Sequence, residues 1–191
     1  MPYGEKFGEA LDYAVRVHRD QRRKGTEVPY VTHLLAAAAI VGENGGTEDQ
    51  VVAALLHDAP EDQGGRERLE DIRERFGDEV ADIVAGNTDT FEDPKPPWRE
   101  RKETYIAHIG HAPESVRLVS AADKLHNART ILADLRIVGD ELWQRFTGGK
   151  EGTLWYYRAL VTAFRAAGSN AVVEELDRVV SELEHLAGKR L

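Results

Sequence analysis

The segment AALLHDAPED, residues 53–62, places one imidazole and three carboxylates directly behind an apolar run. Charged groups against apolar surface are costly unless a partner offsets them, so His57 and Asp58 need an explanation. Two further positions share this property: His33, which precedes LLAAAA, and Asp123, within VSAADKLHN. Two imidazoles and two carboxylates suit a divalent ion such as Mn²⁺, Fe²⁺ or Zn²⁺ better than Ca²⁺. The residues therefore indicate a metal site. The alternative is that the histidines are hydrogen-bonded in the core and that Asp123 forms an ordinary ion pair.

Two more carboxylates follow this histidine–aspartate pair at helical spacing. Glu61 lies four residues after His57 and Asp62 four after Asp58, so a continuous helix would place all of them on one face. Pro60 opposes this arrangement, because proline removes a backbone donor and bends a helix. Acidic groups beside a metal orient or deprotonate its bound water, whose pKa the metal lowers towards neutrality. Glu61 and Asp62 are therefore candidate catalytic residues, with a solvated helix end as the alternative.

The elements that must position these residues are helical along nearly the whole chain. Apolar residues recur at helical spacing, and no stretch persists as a strand candidate. The pattern predicts an all-α protein, a bundle of about eight to ten helices with the metal site in its core. Thr32 and Thr47 are predicted N-caps, and the Pro-rich segment 89–98 is predicted to be a lid or a connector. We expect helices over 5–21, 32–46, 47–59, two around Gly77 within 66–88, and over 99–110, 113–135, 151–168 and 170–188.

The composition favours one soluble domain over residues 1–191, with the motifs in about 5–135 and C-terminal helices over about 140–188. Cysteine is absent, which excludes a thiolate site, and no signal peptide or membrane-spanning run is visible, so we expect a cytoplasmic protein. The net charge of −9 argues against binding a nucleic acid polymer. Two basic segments, RDQRRK and RERK, are either solvated helix ends or contacts for an anionic small molecule. A homo-oligomer is compatible with this sequence.

Three segments, RRKGTEVPYVTH, AALLHDAPED and AADKLHNART, resemble the HD superfamily of metal-dependent phosphohydrolases. In this order they are most similar to the hydrolase domains of RelA/SpoT proteins and to small stand-alone alarmone hydrolases. FGDEV, NTD and RERK agree as well, so the resemblance covers most of residues 5–135. It implies an all-helical fold and hydrolysis of guanosine 3′,5′-bispyrophosphate at the 3′ position, which releases pyrophosphate and GDP.

The resemblance also implies a role for particular side chains. The metal, Mn²⁺ in the family, would be bound by His33, His57, Asp58 and Asp123. Glu61 and Asp62 would position and activate water. The nucleotide and its phosphates would be held by Arg23, Lys24, Lys102 and Asn127. The three basic side chains among them, Arg23, Lys24 and Lys102, would explain how an acidic protein accommodates a highly charged nucleotide, since arginine suits phosphate oxygens geometrically.

Two positions depart from the family pattern. Leu34 stands where the family usually has proline, and Ser120 where it usually has lysine. The missing positive charge at Ser120 favours the main alternative, a phosphohydrolase of another nucleotide such as a nucleoside monophosphate or NADPH. A non-catalytic nucleotide sensor is a third interpretation, which the six intact metal and acidic positions oppose. Tyr156 or Tyr157 would stack on the guanine base or, as aromatic residues at helical spacing more often do, belong to the core.

Overall fold

The computed structural model of this chain describes residues 3–92 and 94–188. Within these ranges it contains helices and no strand, and an isolated antiparallel bridge joins Arg22 to Pro29. The prediction of an all-α protein is therefore confirmed. No helix in the described ranges is long and apolar enough to cross a membrane. The helices are α1 Glu5–Val17, α2 Val31–Glu43, α3 Glu48–Leu56, α4 Ala59–Asp62, α5 Gly65–Phe76, α6 Asp78–Asn87, α7 Trp98–Ile109, α8 Glu114–Val138, a 3₁₀ helix Gly139–Arg145, α9 Gly149–Ala167 and α10 Ala171–Gly188.

The backbone forms two compact units. The first comprises Met1–Lys95 with Pro113–Asp123, and the second comprises Pro96–Ala112 with Lys124–Leu191. In the first unit α3 is central and packs against α1, α2 and α6, while α5 packs against α4 and α6. In the second unit α9 packs against α7, α10 and the 3₁₀ helix. The expectation of one domain over the whole chain stays a prediction.

Helix α3 is central because its sequence is apolar on every side, which is typical of a fully enclosed helix. All six residues from Val51 to Leu56 are buried. Its first residue is fixed by the predicted cap: the Thr47 side chain accepts a hydrogen bond from the Gln50 N–H, and the Gln50 side chain accepts one from the Thr47 N–H. This reciprocal pair satisfies two donors at the helix start and confirms Thr47 as the N-cap.

The predicted cap of α2 is wrong. The helix begins at Val31, and the Thr32 hydroxyl donates to the Pro29 carbonyl oxygen at 2.8 Å instead of capping. The N–H groups of Thr32 and His33 already donate to the carbonyl oxygens of Pro29 and Tyr30, so the chain is turning before Thr32 is reached. The helix therefore begins two residues earlier than a Thr32 cap would place it, and His33 lies within its first turn.

The acidic segment after α3 is not part of one continuous helix. Helix α3 ends at Leu56, and the single-turn α4 begins after Asp58 with Pro60 in its first turn. A proline at that position removes an N–H that has no intrahelical partner, so it is tolerated there. The Asp62 N–H still donates to the Asp58 carbonyl oxygen at 3.0 Å, which keeps these two residues one turn apart.

Candidate metal centre and active site

The four predicted metal ligands converge within the first unit. His33 Nε2 lies 3.6 Å from Asp58 Oδ2 and 3.1 Å from Asp123 Oδ1. His57 Nε2 lies 3.0 Å from Asp58 Oδ2 and 3.6 Å from Asp123 Oδ1. Each imidazole nitrogen therefore faces both carboxylates. Three separate places in the chain supply these groups: the start of α2, the residues that follow α3, and α8.

The spacing of these donor atoms fits a small divalent cation. Metal–ligand bonds of about 2.1 Å place neighbouring ligand atoms roughly 3 Å apart when they meet at right angles. The observed separations of 3.0–3.6 Å exceed that spacing only slightly. His33, His57 and Asp58 also form a group whose ligand atoms all lie within 4.8 Å of one another. Nitrogen and oxygen donors at this separation can hold a divalent metal ion.

The tautomer of His57 supplies a second argument for a cation. Its Nδ1 lies 2.8 Å from the Ala54 carbonyl oxygen, which can only accept, so Nδ1 carries the proton. In the neutral ring, Nε2 then presents a lone pair, and it is buried without a hydrogen bond to any of the described residues. The carboxylate oxygens that face it present lone pairs too. Such an arrangement requires a metal ion or a proton between them, and a second hydrogen bond that orients the ring is typical of metal-binding histidines.

Without a metal, a proton takes this position. Burial alone would lower the pKa of His57, but the charge of Asp58 and the hydrogen bonds that the protonated ring donates to Asp123 and Asp58 outweigh it and raise that pKa well above its usual value. Burial alone would raise the pKa of Asp58, but the charge of His57 and hydrogen bonds from both histidines hold it well below its usual value. Because metal ligands must be deprotonated, a metal that binds here displaces this proton.

Tyr30 holds the Asp58 carboxylate from outside the cluster. Its hydroxyl donates to Asp58 Oδ2 at 2.6 Å, and its ring meets the edge of the His33 ring with centroids 5.6 Å apart. Burial, and then the charge of Asp58, raise the pKa of Tyr30, so the hydroxyl remains a neutral donor at ordinary pH. The sequence pattern assigns no role to this residue. The available signal is its position three residues before His33, a candidate metal ligand, in the segment PYVTH.

Glu61 is held by the segment between α6 and α7. Lys95 Nζ lies 3.1 Å from Glu61 Oε1, and the Asp89 N–H donates to Glu61 Oε2 at 3.4 Å. Nearby, the Arg66 guanidinium lies 4.8 Å from the centroid of the Phe91 ring, which fastens the same segment to α5. The Pro-rich loop predicted from the sequence therefore contacts a predicted catalytic carboxylate.

Asp62 has a different environment. Gln21 Nε2 donates to Asp62 Oδ2 at 2.7 Å. Asp62 is an exposed residue, but partial desolvation of its carboxyl group, followed by the charge of Asp58, raises the pKa of Asp62 to about 6. Behind Gln21 lies His18, a buried residue whose Nδ1 is 2.6 Å from Gln21 Oε1 and whose ring stacks on Tyr30. The sequence pattern assigns roles to neither Gln21 nor His18, although both stand in the segment VHRDQRRK that leads to Arg23.

Two of the four predicted nucleotide-binding residues lie in the first unit, on the loop between α1 and α2. The Arg23 guanidinium lies 5.6 Å from the centroid of the Tyr30 ring. Tyr30 in turn donates a hydrogen bond to Asp58, one of the candidate metal ligands. The backbone N–H of Arg23 donates to the Val28 carbonyl oxygen at 2.8 Å, which closes the loop. Lys24 is exposed on the same loop.

The other two predicted nucleotide-binding residues lie in the second unit. Lys102, on α7, places its Nζ 5.1 Å from the centroid of the Tyr156 ring. Asn127, on α8, is partly buried. Tyr156 and Tyr157 are both buried on α9, which favours the core interpretation of these aromatics over stacking on a base. The nucleotide contacts of Lys102 and Asn127 stay predictions.

The sequence matches the family model described as HD domain over residues 10–153, and the chain therefore belongs to the HD domain family. It is 40% identical over 138 residues to guanosine-3′,5′-bis(diphosphate) 3′-pyrophosphohydrolase MESH1 of Xenopus tropicalis, covering 71% of this chain and 72% of that protein. It is 37% identical over 172 residues to the protein of the same name in Danio rerio, covering 87% of each. A solved structure described as a metazoan ortholog of SpoT that hydrolyzes ppGpp superposes with a TM-score of 0.79, at 30% identity over 96% of this chain and 98% of that one.

Proposed function

We propose that this chain is a metal-dependent hydrolase that cleaves guanosine 3′,5′-bis(diphosphate) at the 3′ position and releases pyrophosphate. The observation that carries the proposal is the convergence of two imidazoles and two carboxylates, with each imidazole nitrogen within 3.6 Å of both carboxylates. Membership of the HD domain family supports the reaction type. The substrate is supported by the relatives named MESH1, one of which matches over 87% of its length.

The proposed metal ligands are His33, His57, Asp58 and Asp123, and the proposed metal is Mn²⁺, which suits mixed nitrogen and oxygen donors. When bound, the metal supplies a Lewis-acidic charge that activates water and offsets phosphate charge. The chain's own contribution is orientation. The Ala54 carbonyl oxygen fixes the tautomer of His57, and the Tyr30 hydroxyl fixes one oxygen of Asp58.

Asp62 is the proposed general base. A carboxyl group with a pKa of about 6 is ionised at pH 7 and is a stronger base than an ordinary carboxylate, so it is suited to accept a proton from the attacking water. Glu61, fastened by Lys95, is the proposed partner that orients this water. The bond between phosphorus and the 3′ oxygen breaks, the water oxygen remains on pyrophosphate, and the 3′ oxygen of GDP takes up a proton.

Basic residues are proposed to hold the nucleotide. The chain carries a net charge of −9, so a highly anionic substrate needs local positive groups at its phosphates. Arg23 and Lys24 would provide them from the loop before α2 and Lys102 from α7, while Asn127 on α8 would contribute a neutral amide as a hydrogen-bonding group. A cytoplasmic location belongs to the same proposal, and the absence of cysteine suits it.

The proposal is tested by measuring pyrophosphate release from guanosine 3′,5′-bis(diphosphate) with Mn²⁺ present. Asp62→Asn should lower kcat by about 10²- to 10⁴-fold, the range for loss of a general base, with the metal content unchanged. Asp12→Asn, which removes the same charge at an exposed position on α1, should leave kcat unchanged. Release of phosphate from nucleoside monophosphates or NADPH, with the bis(diphosphate) left intact, would overturn the substrate assignment in favour of the alternative that Ser120 suggests.

A further inference from the structure

We propose that Gln21 is a positioning residue for Asp62, and that His18 sets the orientation of the Gln21 amide. This inference rests on the proposed function, because it assigns Asp62 the task of accepting a proton. Neither Gln21 nor His18 touches the metal ligands through a hydrogen bond given by the structure; both act through the second carboxylate of the acidic segment.

The hydrogen bonds of Gln21 determine which way its amide points. Its Nε2 faces Asp62 Oδ2 at 2.7 Å, and an ionised carboxylate can only accept, so this atom must be the donor nitrogen. Its Oε1 faces His18 Nδ1 at 2.6 Å and accepts from Gln63 Nε2 at 3.3 Å. A flipped amide would place a carbonyl oxygen against a carboxylate and lose the Asp62 bond. The network therefore specifies a single orientation.

His18 is suited to hold that orientation because its own position is fixed. Only 3% of the residue is exposed, and its ring stacks on Tyr30 with centroids 5.3 Å apart and planes 23° from parallel. With Gln21 Oε1 as acceptor, the ring proton resides on Nδ1. Burial lowers the pKa of His18, so the ring stays neutral and keeps this one donor at physiological pH.

Asp62 needs a side-chain support because its backbone supplies little. It is the last residue of α4, a helix of four residues, and the chain then passes through Gly64 and Gly65, both with positive φ. Among the described residues, Gln21 is the one whose side chain donates a hydrogen bond to the Asp62 carboxylate. Without this hydrogen bond, the Asp62 side chain could rotate away from the water that it is proposed to deprotonate.

The role is positioning and not proton transfer. A neutral amide neither gains nor loses a proton in this pH range, so Gln21 cannot pass a proton from Asp62 to His18. What the contact provides is a fixed direction for one carboxylate oxygen. A catalytic group displaced by about 1 Å can cost roughly 10²-fold in rate, which sets the scale of the expected effect.

Two substitutions of Gln21, one apolar and one charged, test the positioning role. Gln21→Met keeps the length of the side chain and removes both polar atoms, whereas Gln21→Glu keeps an acceptor for His18 and removes the donor to Asp62. Both should lower kcat by about 10- to 100-fold, with KM and bound Mn²⁺ close to those of the unmodified protein. Gln144→Met, the same change at an exposed position, is the matched control and should leave kcat unchanged. If Gln21→Met fails to fold by circular dichroism, the Glu variant carries the test.

A double-mutant cycle separates action through Gln21 from a general structural role. His18→Phe retains a flat ring against Tyr30 but loses the donor, and it should lower kcat in the unmodified protein and have no further effect in the Gln21→Met background. Three outcomes would overturn the inference while leaving the proposed function in place. The effects of the His18 and Gln21 substitutions on kcat could multiply, the variants could lose bound metal together with activity, or the Gln21 variants could be as active as the control. If the unmodified protein does not cleave guanosine 3′,5′-bis(diphosphate) at all, the proposed function fails and the inference fails with it.

Discussion

Gly86→Ala should destabilise this protein because α8 approaches α6 too closely at that point to accept a side chain. A Cβ built at Gly86 would lie 2.8 Å from both methyl carbons of Val116 and 3.4 Å from its Cβ. Carbon atoms in ordinary contact are about 3.5–4.0 Å apart, so the two methyl groups would have to yield by roughly 0.7–1 Å. Both contacts lie inside a packed unit, where Val116 is buried.

The expected magnitude is the difference between two opposing terms. Forcing an extra methyl group into a packed core costs about 1–3 kcal/mol, while alanine is favoured over glycine in a helix interior by about 1 kcal/mol. The net result is a loss of roughly 1 kcal/mol in the free energy of unfolding. Gly8→Ala is the matched control: Gly8 lies inside α1 with nothing within 4 Å of its Cβ position, so only the favourable term, at most about 1 kcal/mol, remains.

The assay is urea unfolding followed by circular dichroism, with metal removed by a chelator so that ligand binding does not contribute. Val116→Ala introduced into the Gly86→Ala protein removes both obstructing methyl groups, so the two substitutions should couple by about 1 kcal/mol or more. Because Val116 lies two turns before Asp123 on α8, Gly86→Ala should also weaken Mn²⁺ binding. The reasoning is refuted if Gly86→Ala stabilises the protein as Gly8→Ala does, since the close approach would then impose no constraint.

Three further predictions follow from single contacts. Thr47→Ala removes the cap of α3 and should lower the free energy of unfolding by about 1 kcal/mol; an unchanged urea midpoint would contradict it. Tyr30→Phe removes the hydrogen bond to Asp58 and should weaken Mn²⁺ binding by about 10- to 100-fold in calorimetric titrations, and unaltered affinity would refute the orienting role. In chelator, raising the pH from 7 to 8 should lower the stability by up to about 1.4 kcal/mol. Because folding raises the pKa of His57, its protonation contributes stability that is complete below the unfolded-state pKa of about 6.5 and is lost progressively as the pH rises towards the folded-state pKa. If the unfolding temperature shifts equally with pH in the presence and absence of Mn²⁺, this account is contradicted.

Most helices and the chemical types of the candidate ligands could be predicted from the amino-acid sequence. Helices over the expected segments are present because apolar spacing and local caps act between residues close in the chain. Thr47 is an example: its cap depends on Gln50, three residues away, and both are visible as letters. The apolar run before His57 accounts for the burial of α3, whereas its central position depends on the helices packed against it. The types of the four converging side chains already indicate a divalent metal.

The way in which these groups meet depends on how distant segments of the chain pack together. Asp123 comes 65 residues after Asp58 in the chain, and no local rule places its carboxylate 3.1 Å from His33 Nε2. An isolated bridge joins Arg22 to Pro29 just before α2, the helix begins at Val31, and the Thr32 hydroxyl donates to the Pro29 carbonyl oxygen instead of capping.

The residues that support the site were hidden for the same reason. Tyr30, Gln21 and His18 act through hydrogen bonds to groups between 3 and 41 residues away, so their importance depends on which helices pack together. Propensity and periodicity describe a residue's own element, whereas burial and hydrogen bonding depend on the elements packed against it. That physical difference explains why the sequence identified the candidate metal ligands by type, while the structure alone identified the side chains that contact Asp58 and Asp62.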